Sequence, residues 1–191
     1  MSIVMYLGSD VKDYEKRGNE IINKHIENGD IRCDICTKPM ERHSSYERGK
    51  KESGEEITVI IVRCKECNCG HALLPDFISP HKQYSGNEIE YAIIESVEAE
   101  SISHIETKAS ESTVRRWICQ VGERIERAIN ILKYLFLEMG RVISEVTLDT
   151  GPGYAELEQV LEMAPSVQKH CGNKLGLANI WLGKHNRHVY I

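Results

Sequence analysis

Cys33-Asp-Ile-Cys36 and Cys64-Lys-Glu-Cys67-Asn-Cys69-Gly-His71 flank the strand-like run Glu56-Ile-Thr-Val-Ile-Ile-Val-Arg63. Each Cys-x-x-Cys can turn both sulfurs toward one point, and the 27 residues between Cys36 and Cys64 leave room for a hairpin that joins the pairs. The spacing predicts a structural site in which Cys33, Cys36, Cys64 and Cys67 hold one Zn2+ ion. Cys69 and His71 keep the second pair ambiguous, because either could replace Cys67. Four protein ligands leave no open position for a catalytic water, so no enzymatic chemistry is expected there.

The hairpin is expected to pair residues 40–48 with 56–63 across a charged, glycine-flanked turn at 49–55. Ile57, Val59 and Ile61 alternate with Thr58, Ile60 and Val62, which puts apolar groups on both faces and predicts packing against another element. Residues 73–80 read as an extended linker, because the residue before each proline is pushed out of the helical region.

Upstream, residues 9–30 read as a helix with Ser9 or Asp10 as N-cap, an apolar face of Ile21, Ile22 and Ile26, and a stop at Gly29-Asp30. The first residues lack a basic region and meet Asp10 too early for a signal peptide. The longest apolar run, 128–137, is broken by Asn130 and Lys133, so no membrane span is expected. A cytoplasmic location follows as an expectation. In that reducing compartment, seven cysteines point to metal ligation rather than disulfides.

Downstream, Ile89, Ala92, Ile93 and Val97 recur at helical spacing within 87–97. Ser101 or Ser103 can cap a short second helix to about residue 106, and Ser110 a third that starts at Glu111. This outline predicts a helix-turn-helix. Ser112, Thr113 and Arg116 would then reach base edges and Arg115 a phosphate, with Val114 and Trp117 pointing inward. The third helix continues through Ile118, Val121, Ile125, Ala128, Leu132, Leu135 and Met139 to Gly140. That seam supports either a homodimer through the 118–139 helix or packing within the chain, since Ile129, Ile131 and Phe136 widen it.

Residues 141–148 suit a strand, 151–153 a turn and 155–163 a short helix. His170, Cys171, His185 and His188 are candidates for a second metal site. Glu145 and Asp149 echo the first acids of a two-metal nuclease, but only 42 residues follow Asp149, too few to supply the rest. His25-Ile-Glu27 before Cys33 superficially matches a deaminase signature, yet five residues cannot hold the strand and helix that must intervene.

Net charge is −5 overall and −4 within 85–127, where nine acidic residues face five basic ones. A nucleic-acid contact must therefore be confined to a small local face. The expected architecture is α+β: an N-terminal helix (1–30), a zinc ribbon (31–80), a helix-turn-helix with a long third helix (81–140) and a small α/β extension (141–191).

Arg63-Cys64-Lys-Glu-Cys67, His71-Ala-Leu-Leu-Pro-Asp-Phe-Ile-Ser-Pro-His-Lys-Gln-Tyr-Ser85 and Ser112-Thr-Val-Arg-Arg-Trp117 together resemble a family of small bacterial zinc-ribbon and helix-turn-helix proteins associated with mobile elements. They are also similar to the N-terminal region of insertion-sequence transposases. The resemblance covers about residues 31–120. It implies DNA-end or operator recognition by a regulator or transposition accessory without its own catalytic core. The alternative is a zinc-dependent interaction module that docks on a transposase or recombinase. Two departures stand out: the turn carries Lys108-Ala109 without a glycine, and His104 stands where a small alanine would let the helices approach.

Overall fold

The β-branched run at 56–63 forms β3 (Glu56–Arg63), an inner strand of a four-stranded sheet, in a computed structural model that describes residues 2–141, 153–164, 173–185 and 190–191. The strand order is β1 (Ser2–Met5), β4 (Gly70–Pro75), β3, β2 (Glu41–Gly49). β3 runs antiparallel to both of its neighbours, and β1 joins β4 in parallel. Ile57, Val59, Ile60 and Val62 are all fully buried, as a strand with apolar groups on both faces requires. Outermost β2 is exposed and carries Glu41, Arg42, Glu47 and Arg48, with a register shift between Arg42 and Ser44. Charge and irregularity on an edge strand discourage pairing with another chain.

Two segments differ from expectation. Residues 70–75, overlapping the predicted linker, are the inner strand β4, with Leu73 and Leu74 fully buried. Pro75 is tolerated because it occupies the last strand position, after which the Asp76 N–H bonds Met5 O. Residues 1–30 also supply more than a helix. After β1, α1 (Val11–Asp13) passes through a π-helical turn (Tyr14–Gly18) into α2 (Asn19–Glu27). Asp10 is the N-cap, accepting from the Asp13 N–H at 2.9 Å, and Gly29, at φ +69°, follows the helix end. Leu7, Val11, Tyr14 and Ile22 share one core with Ile31, Met40 and the sheet.

A second core lies among α3 (Gly86–Glu98), α4 (Glu111–Glu138), α5 (Tyr154–Glu162) and α6 (Lys174–His185). Val114, Trp117, Val121, Ile125, Ala128, Ile129, Leu132 and Phe136 form the buried stripe of α4, so Val121, Ile125, Ala128 and Leu132 of the predicted seam pack within the chain, while Met139 is exposed. Trp117 meets Tyr84 edge-on at 5.0 Å and Phe136 meets Trp181 at 5.2 Å. The cores are tied together by α6, where a side chain at Gly176 would strike the Asp76 carbonyl, and by Tyr190 Oη, which donates to Ser2 O.

In the predicted helix-turn-helix region, α3 and α4 have the expected extents, but the middle piece is a single 3-10 turn, Ile102–His104. Ser101, one of the two expected caps, is its N-cap and accepts from the Ser103 N–H. Glu88 Oε1 then receives Thr107 Oγ1 at 2.6 Å and the Lys108 N–H at 3.0 Å, so the 105–110 connection is pinned directly to α3. All but Arg141 of the expected strand 141–148, with Glu145, and Asp149, His170, Cys171 and His188, lie outside the described residues. No helix among the described residues is long and apolar enough to cross a membrane.

Candidate metal centre and basic cleft

The two Cys-x-x-Cys segments fold into matching knuckles. The Cys33 N–H bonds Lys38 O and the Cys64 N–H bonds Cys69 O, both at 2.9 Å and both spanning five residues. The residue after the second cysteine is left-handed in each, Thr37 at φ 60° and Asn68 at φ 59°. Asparagine tolerates this region, whereas β-branched threonine is strained there. Such a residue persists where the surrounding structure over-determines the turn. The β3–β4 pairing of Arg63 with Gly70 holds the second knuckle, and the Arg32–Pro39 bridge holds the first.

Cys33, Cys36, Cys64 and Cys67 meet with all their sulfurs within 4.8 Å of one another. Cys33–Cys67 is 3.2 Å, Cys36–Cys64 3.4 Å and Cys36–Cys67 3.9 Å. Tetrahedral zinc with thiolates at its usual bond length needs sulfur–sulfur edges of about 3.8 Å. The four cysteines can thus hold a metal ion after adjustments of a few tenths of an ångström. The matching knuckles pair Cys67 with Cys36, which speaks for Cys67 over Cys69 in this quartet.

The thiols are already polarised in alternation. Burial raises the Cys33 thiol, but the Cys36 N–H, the Cys69 and Cys67 thiols and the Ile35 N–H donate to its sulfur and bring it down to about 6. The Cys67 N–H does most to lower Cys64. At Cys36 the Lys38 N–H acts downward, but the bond to Cys64, burial and the Cys33 and Cys67 sulfurs push the thiol up to about 12. At Cys67 the Cys69 N–H likewise acts downward and is outweighed by the Cys33 and Cys69 sulfurs, so this thiol too rises to about 12. The first cysteine of each knuckle is thus shifted toward the thiolate a metal ion needs, and the second holds its proton more tightly.

Two of the four predicted DNA contacts line a cleft and two do not. Arg115 is exposed and lies 4.0 Å from Glu111, and the Ser112 hydroxyl lies 3.1 Å from that of Ser110. Thr113 and Arg116 instead line a cleft of about 400 Å³ with Lys51, His81, Lys82, Gln83, Tyr84, Trp117 and Gln120. Val114 and Trp117 are buried. Three loops and a helix build this cleft. Arg48 donates to Ser79 O at 2.8 Å and to Lys82 O, the Lys51 N–H bonds Gln83 O at 2.8 Å, and Lys108 Nζ bonds Glu52 O at 2.9 Å. His81, left-handed at φ 61°, turns the loop so that Lys82 reaches Gln120 on α4.

Among the described residues, no carboxylate lines the cleft. Lys82 lies below the usual lysine range, first through burial and then through the positive charges of Arg124 and Arg116. Lys51 sits over the Tyr84 ring at 5.8 Å. The sequence reading missed Lys51, His81 and Lys82 because they lie on loops some 30 residues apart from each other and from α4. Their only linear signal is two short basic pairs, Lys50-Lys51 and His81-Lys82.

Residues 33–117 match a family described as a domain of unknown function (DUF6431). The match begins at the first knuckle cysteine and ends at buried Trp117, so it takes in the four cysteines and every cleft residue except Gln120. No curated protein and no solved structure matches the chain.

Proposed function

We propose that the chain is a zinc-stabilised DNA-binding protein that grips the sugar-phosphate backbone in the cleft between the 49–55 turn, the 78–85 loop and the first turns of α4. The observation that carries this reading is the convergence of Lys51, Lys82 and Arg116, with His81, on a cleft lined by no carboxylate among the described residues, in a chain of net charge −5. Collecting like charges is unfavourable without an anion to receive. Thr113 and Gln120 add neutral donors beside them. The acidic residues of α3 weaken this reading less than their number suggests, since Glu88 caps the 105–110 connection and Glu90 Oε2 receives the Leu175 N–H at 2.9 Å.

Zinc has an architectural role in this reading. The second knuckle is the connection between β3 and β4, and β4 leads into the 78–85 loop. Membership of a mobile element rests on the sequence resemblance alone. A gel-shift with the zinc-loaded chain and short duplex DNA tests the reading, and failure of Lys82→Gln with Arg116→Gln to weaken binding would sink it.

A second reading is favoured by a different surface. Tyr134 and Leu137 are each 61% exposed at the end of α4 and Met139 is 46% exposed, an apolar strip suited to a partner protein or a second copy. In that case the chain would enter a larger complex without binding DNA itself.

A further inference from the structure

One tetrahedral ion uses four donors, yet the knuckles bring together more than four. Cys69 Sγ lies 3.2 Å from Cys33 Sγ and 3.3 Å from Cys67 Sγ. On its other side it lies 3.6 Å from Nε2 of His71, which is 2% exposed. The same Nε2 is 3.1 Å from Asp34 Oδ1, and that oxygen is 4.0 Å from Cys33 Sγ. Cys33, Asp34 and Cys69 all fall within 4.8 Å of one another.

We propose that the chain carries a second site for a zinc-like divalent ion, formed by Asp34, Cys69 and His71 together with Cys33, whose thiolate bridges to the first ion. This rests on the reading that Cys33, Cys36, Cys64 and Cys67 hold the first. Around the ring of donors the separations run 3.2, 3.6, 3.1 and 4.0 Å. From usual zinc bond lengths, a tetrahedron needs edges of about 3.8 Å between sulfurs, 3.5 Å from sulfur to nitrogen or oxygen, and 3.3 Å from nitrogen to oxygen. Each of these four separations is within about 0.6 Å of its target, whereas His71 Nε2 falls outside the 4.8 Å cluster of Cys33, Asp34 and Cys69 and must move toward Cys33 to close the fourth corner. The donor types suit zinc, cobalt or cadmium, and a thiolate has lone pairs enough for two ions.

Charge argues the same way. Five thiolates and one carboxylate around a single divalent ion would leave a net charge of −4, so Cys69 would have to stay protonated. A second ion halves that excess and makes Cys69 a ligand. The competing account makes His71 an outer donor, held by Asp34, that gives its N–H to a thiolate of a single-ion site.

The test uses the full chain, stripped of metal and titrated with cobalt, with the thiolate-to-cobalt and tetrahedral d–d absorption followed. The wild type is expected to break at two equivalents. Asp34→Asn, Cys69→Ser and His71→Ala should each break at one and keep the tetrathiolate spectrum. Asp34 is partly exposed, which makes its variant the least disturbing to the fold. Cadmium NMR of the wild type should give two resonances coupled through the shared sulfur. A wild-type break at one equivalent overturns the second site alone, and so do variants that still bind two. No cobalt uptake would overturn the first site as well.

Discussion

Arg116→Gln removes one of the three lysine and arginine side chains that line the cleft, on an exposed position whose loss leaves the buried stripe of α4 intact. If Lys51, Lys82 and Arg116 each neutralise one phosphate, log K should fall with log salt at a slope of about −2.7, at about 0.9 per neutralised phosphate. Raising salt from about 50 to about 200 mM would then weaken wild-type binding about 40-fold. The variant keeps two contacts, so its slope should flatten to about −1.8 and the same step should cost about 12-fold. Fluorescence anisotropy of a labelled duplex across that salt range at about pH 8 measures both. Arg115→Gln is the control: this arginine lies against Glu111 and does not line the cleft, so its slope should match the wild type. Equal slopes for wild type and Arg116→Gln, or flattening by Arg115→Gln instead, would refute this account of the cleft.

Other consequences concern the two cores. With free zinc a thousandfold above Kd, one site adds about 4 kcal/mol to stability. Chelation should therefore lower the melting temperature of the wild type, and Cys36→Ser should melt like the chelated protein; superimposable melting curves would contradict this. Trp117→Ala should cost about 3–5 kcal/mol in urea unfolding, because a 1%-exposed indole and its edge contact with Tyr84 are both lost. A loss below about 1 kcal/mol would mean that α4 is not anchored there. Tyr14→Phe removes the 2.6 Å bond to Thr58 O and should cost about 0.5–1.5 kcal/mol near neutral pH. Burial holds the Tyr14 hydroxyl up at about 12, above the ordinary 10, so the folded state keeps that proton longer than the unfolded one. Its contribution is complete below pH 10 and is lost as pH rises toward 12, so the gap between wild type and variant should narrow across that window.

The sequence alone determined what local chemistry dictates. Two Cys-x-x-Cys segments sufficient for a four-sulfur cluster, the apolar strand at 56–63, the helices within 86–98 and from Glu111, and the inward-facing Val114 and Trp117 are all carried by spacing and periodicity over a few residues. Where the chain departs from that reading, distant pairing intervened. Residues 70–75 became an inner strand because β1, some 70 residues earlier, supplies its other neighbour. The predicted second helix is a single turn capped by Ser101, and the chain after it is tied to α3 through the Glu88 carboxylate, a partner some 20 residues away. Only the tertiary structure decided which face of α4 is spent on the chain's own core, and that Thr113 and Arg116 line one cleft with Lys51 and Lys82. Periodicity reports that a side chain is apolar or charged. The partner that buries or opposes it is set by chain closure over tens of residues, which no local pattern encodes.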